Sequence, residues 1–506
     1  METRFYITTP IYYPNGEPHV GHIYTTLCAD VLARYHRLRG DMTHFLTGTD
    51  EHGIKMVKTA AEQQVDPRTL ADRNVAIFES LWRELHISND DFIRTTSDRH
   101  KLGVAKIVDR MLASGDIYLG GYEGWYDEGQ EEFVTETAAK DQAYKSAVSG
   151  RALVRYSEPT YFFRLTKYVP AVLEAIESDR LRVRPEARKN EVVSKLKQGV
   201  DDLSISRSSL SWGIPMPNDP KHVIYVWIDA LSNYVTALDD DRKKLFWPAD
   251  VHLIGKEILW FHAVYWPAML MSLGMDLPKE IFAHGWWTSH GKKMSKSMGN
   301  FVGLEQVREK VATYSLDGLR YYLLRAAPFG NDLDWTDADL VKAFNELANV
   351  LGNCLNRTIK MIGKYCNGVL PPAAPSEAGD LQLIARINET QVAVDAAYSA
   401  IALQQAAMLP VELARATNVY IDSTEPFKLA KDPEKLSRLH TVLNLSAQAI
   451  SRALLLLLPV LPEKASQGLA QMNIVVKPGE WQKTLGELLP AGHTLGEGQP
   501  LFPKVL

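Results

Sequence analysis

The sequence predicts an α/β fold in which a parallel sheet is split by an insertion and followed by a helical bundle. Three observations predict it. Strand-like and helix-like stretches alternate at the start of the chain, the same alternation returns near residue 226, and the pattern is nearly all helical after Trp335. Because 506 residues exceed what one compact core usually holds, several domains are expected.

The N-terminal stretch has the pattern of a βαβ unit. RFYITTPIYY is rich in β-branched and aromatic residues and ends at a Pro-Asn-Gly turn, which predicts a strand. A helix with apolar residues at helical spacing follows and is expected to end at Gly40, and THFLTGTDEHG predicts a second buried strand. Since this order builds a parallel sheet, ligands are expected at the carboxyl ends of its strands.

The remaining segments are assigned by the same patterns. Short interrupted strands and Gly-rich turns indicate an inserted subdomain, after which HVIYVWIDALSNY, DVHLIGKEILWFHAVYW and IFAHGWWTSHGKKMSKSMGN return to strand-then-helix order. Helices continue to about Leu458, and a Pro/Gly-rich tail is expected to pack back on them. The predicted boundaries are 1–115 and 226–335 for the halves of the sheet domain, 116–225 for the insertion, 336–475 for the helical domain and 476–506 for the tail.

Composition limits the class of protein. With 46% hydrophobic and 23% charged residues, the chain is typical of a globular protein, and its net charge of −5 argues against a globally basic coat for nucleic acid. Three scattered cysteines (Cys28, Cys354 and Cys366) are too few for a disulfide framework, which indicates a reducing cytosol or organelle matrix, and a cytoplasmic location is expected. No secretory signal is evident, and the apolar run 453–461 is too short for a membrane span, so a buried helix is expected there.

Two histidines lie at the expected start of the first helix. His19 and His22 in PNGEPHVGH are on one face of the first helical turn, where free N–H groups favour anions. The lone Gly21 between them leaves room for a flat base or sugar. A metal site completed by the segment 50–52, or two ordinary helix-start histidines, are the alternatives at this point.

A second stretch, GKKMSKS, combines lysines and hydroxyls with little apolar pattern. A solvated basic loop is the ordinary interpretation of such a run. The same composition suits a polyphosphate, because lysine binds phosphate as a point charge.

PHVGH and KMSKS, in this order on a βαβ framework, resemble the two signatures of the class I aminoacyl-tRNA synthetases. The segments TTPIYYPNGEPHVGHIYTT, FLTGTDEHG, VWIDALSNYV, HLIGKEILWFHAVYWPAML and LRYYLLR resemble the methionyl-tRNA synthetase family along nearly the whole chain. The resemblance implies a split Rossmann-like nucleotide-binding domain, a connective insertion and an α-helical anticodon-binding bundle. It also implies activation of L-methionine by ATP and transfer to the 3′ end of tRNA(Met), initiator tRNA included.

The resemblance implies a division of roles among the site residues. In that family the histidines and the lysine loop bind ATP, which carries Mg²⁺, and the histidines hold no metal. Catalysis is then expected from His19, His22, Lys293 and Lys296. The implied ATP contacts are Tyr12, His19, Gly21, His22, Gly255, Glu257, Lys293, Ser295 and Lys296.

The resemblance also implies an amino-acid pocket. Its residues are Ile11, Tyr13, Asp50, Trp227, Ala230, Tyr234, Ile258 and His262. An apolar aromatic box suits a thioether, Asp50 would pair with the substrate ammonium, and the Tyr234 hydroxyl would discriminate through the sulfur. Taken alone, WIDALSNY is typical of a buried strand running into a helix, and Gly255–Glu257 of a turn at a strand end.

Three departures from the family pattern bear on these roles. The insertion contains no cysteine, so no structural zinc is expected. Glu257 stands where the family more often has Asp at the ribose contact. Asn353 and Arg357 match the family's anticodon-reading pair, whereas the base-stacking position holds Phe427 instead of Trp, with a smaller ring and no indole N–H.

The expected partners are L-methionine, ATP and tRNA(Met), contacted at its acceptor end and its CAU anticodon. No membrane or obligate protein partner is expected, and because no appended module follows the helical domain, a monomer is predicted. The alternatives are a leucyl, isoleucyl or valyl enzyme, which the roughly 100-residue insertion disfavours, a nucleotidyltransferase without a tRNA substrate, and a non-catalytic RNA-binding protein.

Overall fold

The computed structural model describes residues 3–128, 132–134, 136–289, 291–294 and 301–502. The chain divides into two compact units. We call Arg4–Ala29 with His44–His284 the sheet unit, and Met1–Thr3, Asp30–Thr43 and Gly285–Leu506 the helical unit. The five segment boundaries predicted from the sequence stay predictions, because this division is a coarser one.

The elements up to residue 284 are a mixture of strands and helices, and the predicted order of strand, helix and strand occurs at the start of the chain. The strands are β1 (Arg4–Tyr12), β2 (Met42–Thr49), β3 (Asp91–Arg94), β4 (Ile117–Asp127), β5 (Glu132–Val134), β6 (Val154–Phe163), β7 (Arg182–Arg184), β8 (Leu203–Ser204), β9 (Ser206–Arg207), β10 (Pro215–Met216), β11 (Asp219–Ile224), β12 (Val251–Gly255) and β13 (Glu280–His284). The helices are α1 (Val20–Arg39), α2 (Ile54–Glu62), α3 (Pro67–Glu84), α4 (Asp98–Ala113), α5 (Glu136–Asp141), α6 (Leu165–Glu177), α7 (Glu186–Lys197), α8 (Val226–Thr236), α9 (Asp241–Lys244) and α10 (Trp266–Ser272).

A six-stranded sheet organises the sheet unit, in the order β3-β2-β1-β12-β13-β7. The pairs β2–β3, β1–β12, β12–β13 and β13–β7 are parallel, with Thr8 opposite His252 and Gly255 opposite His284. Helix α1 ends at Arg39, and Gly40 follows with a φ of +90°, which an L side chain rarely adopts. The predicted parallel sheet and its first βαβ unit are confirmed.

Two strands lie where the sequence did not predict them. β7, within the predicted insertion 116–225, forms an edge of the six-stranded sheet through its pairing with β13. β11, expected to return to the parallel sheet, is instead antiparallel in a small sheet ordered β10-β11-β9. The expectation for β11 was wrong because its backbone groups pair with two neighbours close in sequence.

Helices dominate the helical unit. Among the described residues after 284, the strands are β14 (Trp287–Ser289), β15 (Lys292–Lys293) and β16 (Leu333–Trp335). Its helices are α11 (Leu304–Tyr314), α12 (Leu316–Arg325), α13 (Asp337–Glu346), α14 (Asn353–Cys366), α15 (Ala378–Ser399), α16 (Leu403–Thr424), α17 (Pro426–Leu429), α18 (Leu436–Leu457), α19 (Pro462–Gln471) and α20 (Trp481–Gly486). The apolar run that begins at Ala453 ends α18 and is buried, as predicted.

A buried ion pair links helices of this unit. Arg320 and Asp30 are both fully buried, 2.8 Å apart, and Arg320 also donates to the carbonyl oxygens of Pro459 and Val460. Such a pair is held by the extra hydrogen bonds as much as by charge. In the described part of the chain, no helix combines the length and the apolar character needed to cross a bilayer.

Candidate active site

The first part of the site is the histidine pair that precedes and opens α1. The His19 and His22 ring centroids are 3.9 Å apart, with 30° between the ring planes. The backbone N–H of Gly21 donates to Nδ1 of His19 at 3.0 Å, and the N–H of His19 donates to Nδ1 of His22 at 3.2 Å. Since each Nδ1 accepts a hydrogen bond, the proton of each neutral ring lies on Nε2. The pair therefore presents two Nε2–H donors.

Aromatic side chains surround His22. Its ring centroid is 4.8 Å from that of Tyr12 and 5.5 Å from that of Phe78, and the Tyr12 hydroxyl is bonded to Thr26 at 2.8 Å. Desolvation first, and the neighbouring His19 second, hold the pKa of His22 well below its ordinary value. His22 is therefore a neutral hydrogen-bond donor. Phe78, on α3, is a buried apolar position that no sequence signal distinguished from core.

Two glycines lie directly against side chains of the predicted site. A Cβ on Gly21 would lie 2.9 Å from Cε1 of His19. A Cβ on Gly255 would lie 2.6 Å from both carboxylate oxygens of the exposed Glu257, so this carboxylate folds back over the end of β12. Because Gly21 has no side chain, the ring of His19 can lie close to it. In the same way, the Glu257 carboxylate can lie close to Gly255.

The predicted amino-acid pocket lies within the sheet unit. Ile11, Tyr13, Trp227 and Ile258 are partly buried and pack against the same core cluster, which contains Tyr234. Trp227 stacks on Phe261, with centroids 3.7 Å apart and 4° between the planes. WIDALSNY lies entirely in α8, which carries Trp227, Ala230 and Tyr234 on consecutive turns. The strand interpretation of this segment is therefore wrong.

A hydrogen-bonded chain joins three residues of the predicted pocket. Nδ1 of His262 donates to the carbonyl oxygen of Ile258 at 2.9 Å, and its Nε2 accepts the Tyr234 hydroxyl at 2.6 Å. Burial lowers the pKa of His262 to about 4, so the ring is neutral. The hydroxyl hydrogen of Tyr234 is thus directed at His262, and its oxygen remains as an acceptor. Phe261 and His262 belong to a π-helical stretch, Phe261–Tyr265, which the sequence did not predict and which is frequent at functional sites.

Asp50 follows β2 at the carboxyl edge of the sheet. Its backbone N–H donates to the carbonyl oxygen of Tyr12 at 2.9 Å, which joins the ends of β2 and β1. Its neighbours Glu51 and His52 are engaged by protein groups, Glu51 by Arg94 and His52 by Asp229. These contacts disfavour the metal site considered for this segment, and in the described residues no cluster of three potential metal ligands occurs.

The lysine loop lies partly in the described residues. The backbones of Lys292 and Lys293 form β15, antiparallel to β14 of the helical unit. Ser295 and Lys296, predicted to bind ATP phosphates, lie outside the described residues, as does the side chain of Lys293.

The three predicted anticodon residues all belong to the helical unit. Asn353 is exposed at the start of α14, directly after a π-helical stretch, Leu347–Gly352. Arg357 lies one turn later, and its guanidinium is 2.6 Å from Oδ1 of Asp422 on α16. Phe427, on α17, is 53% exposed.

A family model described as tRNA synthetases class I (M) matches residues 5–142 and 141–359. Methionine–tRNA ligase 1 of Bacillus cereus is 44% identical over 519 residues, covering 99% of this chain and 78% of the relative. The methionine–tRNA ligase of Halalkalibacterium halodurans is 44% identical over 523 residues, covering 100% of this chain and 79% of the relative.

Solved structures of methionyl-tRNA synthetases are also similar to this chain. A structure described as Mycobacterium tuberculosis methionyl-tRNA synthetase in complex with methionyl-adenylate matches with a TM-score of 0.93 and 38% identity, covering 99% of this chain and 100% of that one. The apo form from the same organism matches with a TM-score of 0.86 and 36% identity, covering 99% and 98%.

Proposed function

The chain belongs to the methionine–tRNA ligase family of class I tRNA synthetases, and on that premise we propose that it joins L-methionine to tRNA(Met) in two steps. In the first, a carboxylate oxygen of methionine attacks the α-phosphorus of ATP, which gives methionyl-adenylate and releases pyrophosphate. In the second, the 2′-hydroxyl of the terminal adenosine attacks the acyl carbon, and AMP leaves. The protein's task is mainly to position groups and stabilise phosphate charge.

The paired Nε2–H donors of His19 and His22 carry the proposal. Both point from a helix start, where the backbone also favours anions. We assign them to phosphate oxygens of ATP, whose charge rises as the α-phosphorus is attacked. The ring of Tyr12, whose hydroxyl is bonded to Thr26, packs against the ring of His22.

The other ATP contacts follow from the resemblance to the family. Gly255 and Glu257 are assigned to the ribose, and Lys293, Ser295 and Lys296 to the β- and γ-phosphates. Mg²⁺ would arrive bound to the ATP phosphates and offset part of their charge.

The chemistry of the predicted pocket residues supports the assignment of methionine. Trp227 stacked on Phe261 offers an aromatic wall to the thioether, and the neutral pair of Tyr234 and His262 closes the end without a net charge. Asp50 is assigned to the substrate ammonium. Asn353, Arg357 and Phe427 are assigned to the anticodon, Phe427 by stacking on a base.

Amino-acid-dependent pyrophosphate exchange with ATP tests the proposal. Methionine is expected to drive exchange at least about a hundredfold better than leucine, isoleucine or valine, and tRNA(Met) to accept the product. Lys296→Ala should slow exchange about a hundredfold while methionine binding by equilibrium dialysis stays unchanged, with the exposed Lys221→Ala as control. Exchange driven best by another amino acid, or undiminished in Lys296→Ala, would refute the assignment.

We further propose that the protein is a cytoplasmic monomer. The buried Cys28 and Cys354 are free thiols, which suits a reducing compartment. Light scattering is expected to give the mass of one chain.

A further inference from the structure

A buried acidic residue lies behind the proposed pocket and makes no contact that the proposed reaction uses. The Asp229 side chain, 1% exposed, has Oδ2 at 2.6 Å from Nδ1 of His52 and Oδ1 at 2.7 Å from Nε2 of His100. Nδ1 of His100 in turn accepts the hydroxyl of Thr236 at 2.7 Å. A carboxylate only accepts, so both imidazoles donate to it.

This network joins the two parts of the pocket that touch different ends of methionine. His52 follows two residues after Asp50, the residue assigned to the ammonium. Asp229 and Thr236 belong to α8, which also carries the pocket residues Trp227 and Tyr234. One carboxylate therefore ties the Asp50 segment to the helix that lines the side-chain pocket.

Glu51, the residue directly after Asp50, is also held by several hydrogen bonds. The fully buried Glu51 carboxylate receives Nε of Arg94 at 2.7 Å and its second guanidinium nitrogen at 2.8 Å, together with the hydroxyls of Thr49 and Thr96. The carbonyl oxygen of Glu51 accepts the indole N–H of Trp212 at 2.7 Å. The two residues that follow Asp50 are thus fixed in two directions, Glu51 toward the sheet and His52 toward α8.

We propose that His52 and Asp229 are positioning residues of the amino-acid site, which set the distance between the Asp50 carboxylate and the pocket lined by α8. The inference rests on the proposed function. Neither residue is assigned a contact with substrate. Misplacing one binding group by about 1 Å is enough to cost up to a hundredfold in rate or affinity, so a rigid link between the two ends of the pocket affects methionine directly.

Two pairs of variants test the link. His52→Ala removes the donor to Asp229, whereas His52→Asn keeps an amide N–H near the position of Nδ1. In Asp229→Asn, the amide N–H₂ faces one of the two imidazole N–H groups, so one of the two bonds is lost. As a matched control, Asp116→Asn changes an equally buried carboxylate of the same unit, which is bonded to Lys167 and Tyr168.

The readout is KM for methionine and KM for ATP in pyrophosphate exchange, measured after thermal melts show that each variant is folded. His52→Ala and Asp229→Asn are expected to raise KM for methionine about tenfold or more, with KM for ATP within about twofold. His52→Asn should keep KM for methionine close to the wild-type value, and Asp116→Asn should leave both KM values unchanged.

Equal rises in both KM values, unchanged kinetics in a folded His52→Ala, or the same response in Asp116→Asn would overturn the inference. If Asp229→Asn fails to fold, the two His52 variants decide alone. A wild-type protein without methionine-dependent exchange would overturn the proposed function itself, and this result is distinct from a change confined to the variants.

Discussion

The positions of two protons decide what the histidine pair can do for a phosphate. Because Nδ1 of His22 accepts a backbone N–H, only Nε2–H is available for a ligand. His22→Gln places an amide N–H near Nε2, whereas His22→Asn places it near Nδ1. We expect His22→Asn to lower kcat for exchange by about 10²–10³ and His22→Gln to lower it clearly less. An activity loss centred on pH 6.5 that His22→Gln removes would contradict a neutral His22.

A second residue-scale prediction concerns the buried Asp317 of α12. Its Oδ2 accepts the backbone N–H of Lys464 at 2.6 Å, and burial raises the pKa of this carboxyl to about 6. The folded state therefore favours the protonated acid, so this group's contribution to stability is full below pH 4 and is lost as pH rises to about 6. The stability of Asp317→Asn relative to wild type should therefore rise by about 2 kcal/mol between pH 4 and pH 6 and change little above pH 6. Urea melts between pH 4.5 and 8 measure the difference, and a constant difference would refute it.

At this scale local sequence patterns single out the predicted ligand-binding residues, but not the residues that the structure shows to be bonded behind them. His19, His22 and Tyr234 stand in local patterns that carry chemistry. His52, His100 and Asp229 were not assigned a joint role, because 177 and 129 residues separate Asp229 from its two partners. A buried polar residue gives no local sign of the group it will meet.

At the scale of elements, the packing of α4 on α8 depends on a glycine. A Cβ on Gly103 would lie 2.5 Å from Cγ2 of Thr236, inside any normal contact. Gly103→Ala gains about 1 kcal/mol in helix propensity but forces the helices apart, so we expect a net loss of about 1–2 kcal/mol. Gly363→Ala, in α14 with nothing within 4 Å, should instead gain stability. Thermal melts compare the two, and a stabilising Gly103→Ala would contradict the packing argument.

Elements with a strong period were predictable and short ones were not. β1, α1, β2 and the helices after Trp335 follow from apolar spacing and turn residues. β7 has three residues and reads Arg-Val-Arg, so its place at the sheet edge comes from pairing with β13, about a hundred residues later. The π-helical stretches were missed for a similar reason, since their extra residue leaves the apolar pattern almost unchanged.

At the scale of the whole molecule, the predicted site residues are divided between the two units. The predicted amino-acid pocket and the histidine pair belong to the sheet unit, whereas the predicted lysine loop and the predicted anticodon residues belong to the helical unit. Arg357→Ala should therefore weaken tRNA charging, raising KM for tRNA about tenfold or more, and leave pyrophosphate exchange within about twofold. Lys364→Ala removes one positive charge from the same helix and serves as control. Equal losses in exchange and charging would argue against an anticodon role for Arg357.

The order of strands in the central sheet also has a consequence during synthesis on the ribosome. β1 can pair with β2 soon after both are synthesised. Its other neighbour in the sheet is β12, and the partner of Thr8, His252, is synthesised 244 residues later. At about 5–20 residues per second, the second edge of β1 stays unpaired for roughly 10 to 50 s in every round of translation. An open, apolar strand edge is a template for unwanted pairing, so the nascent N-terminal segment carries this aggregation hazard until β12 emerges.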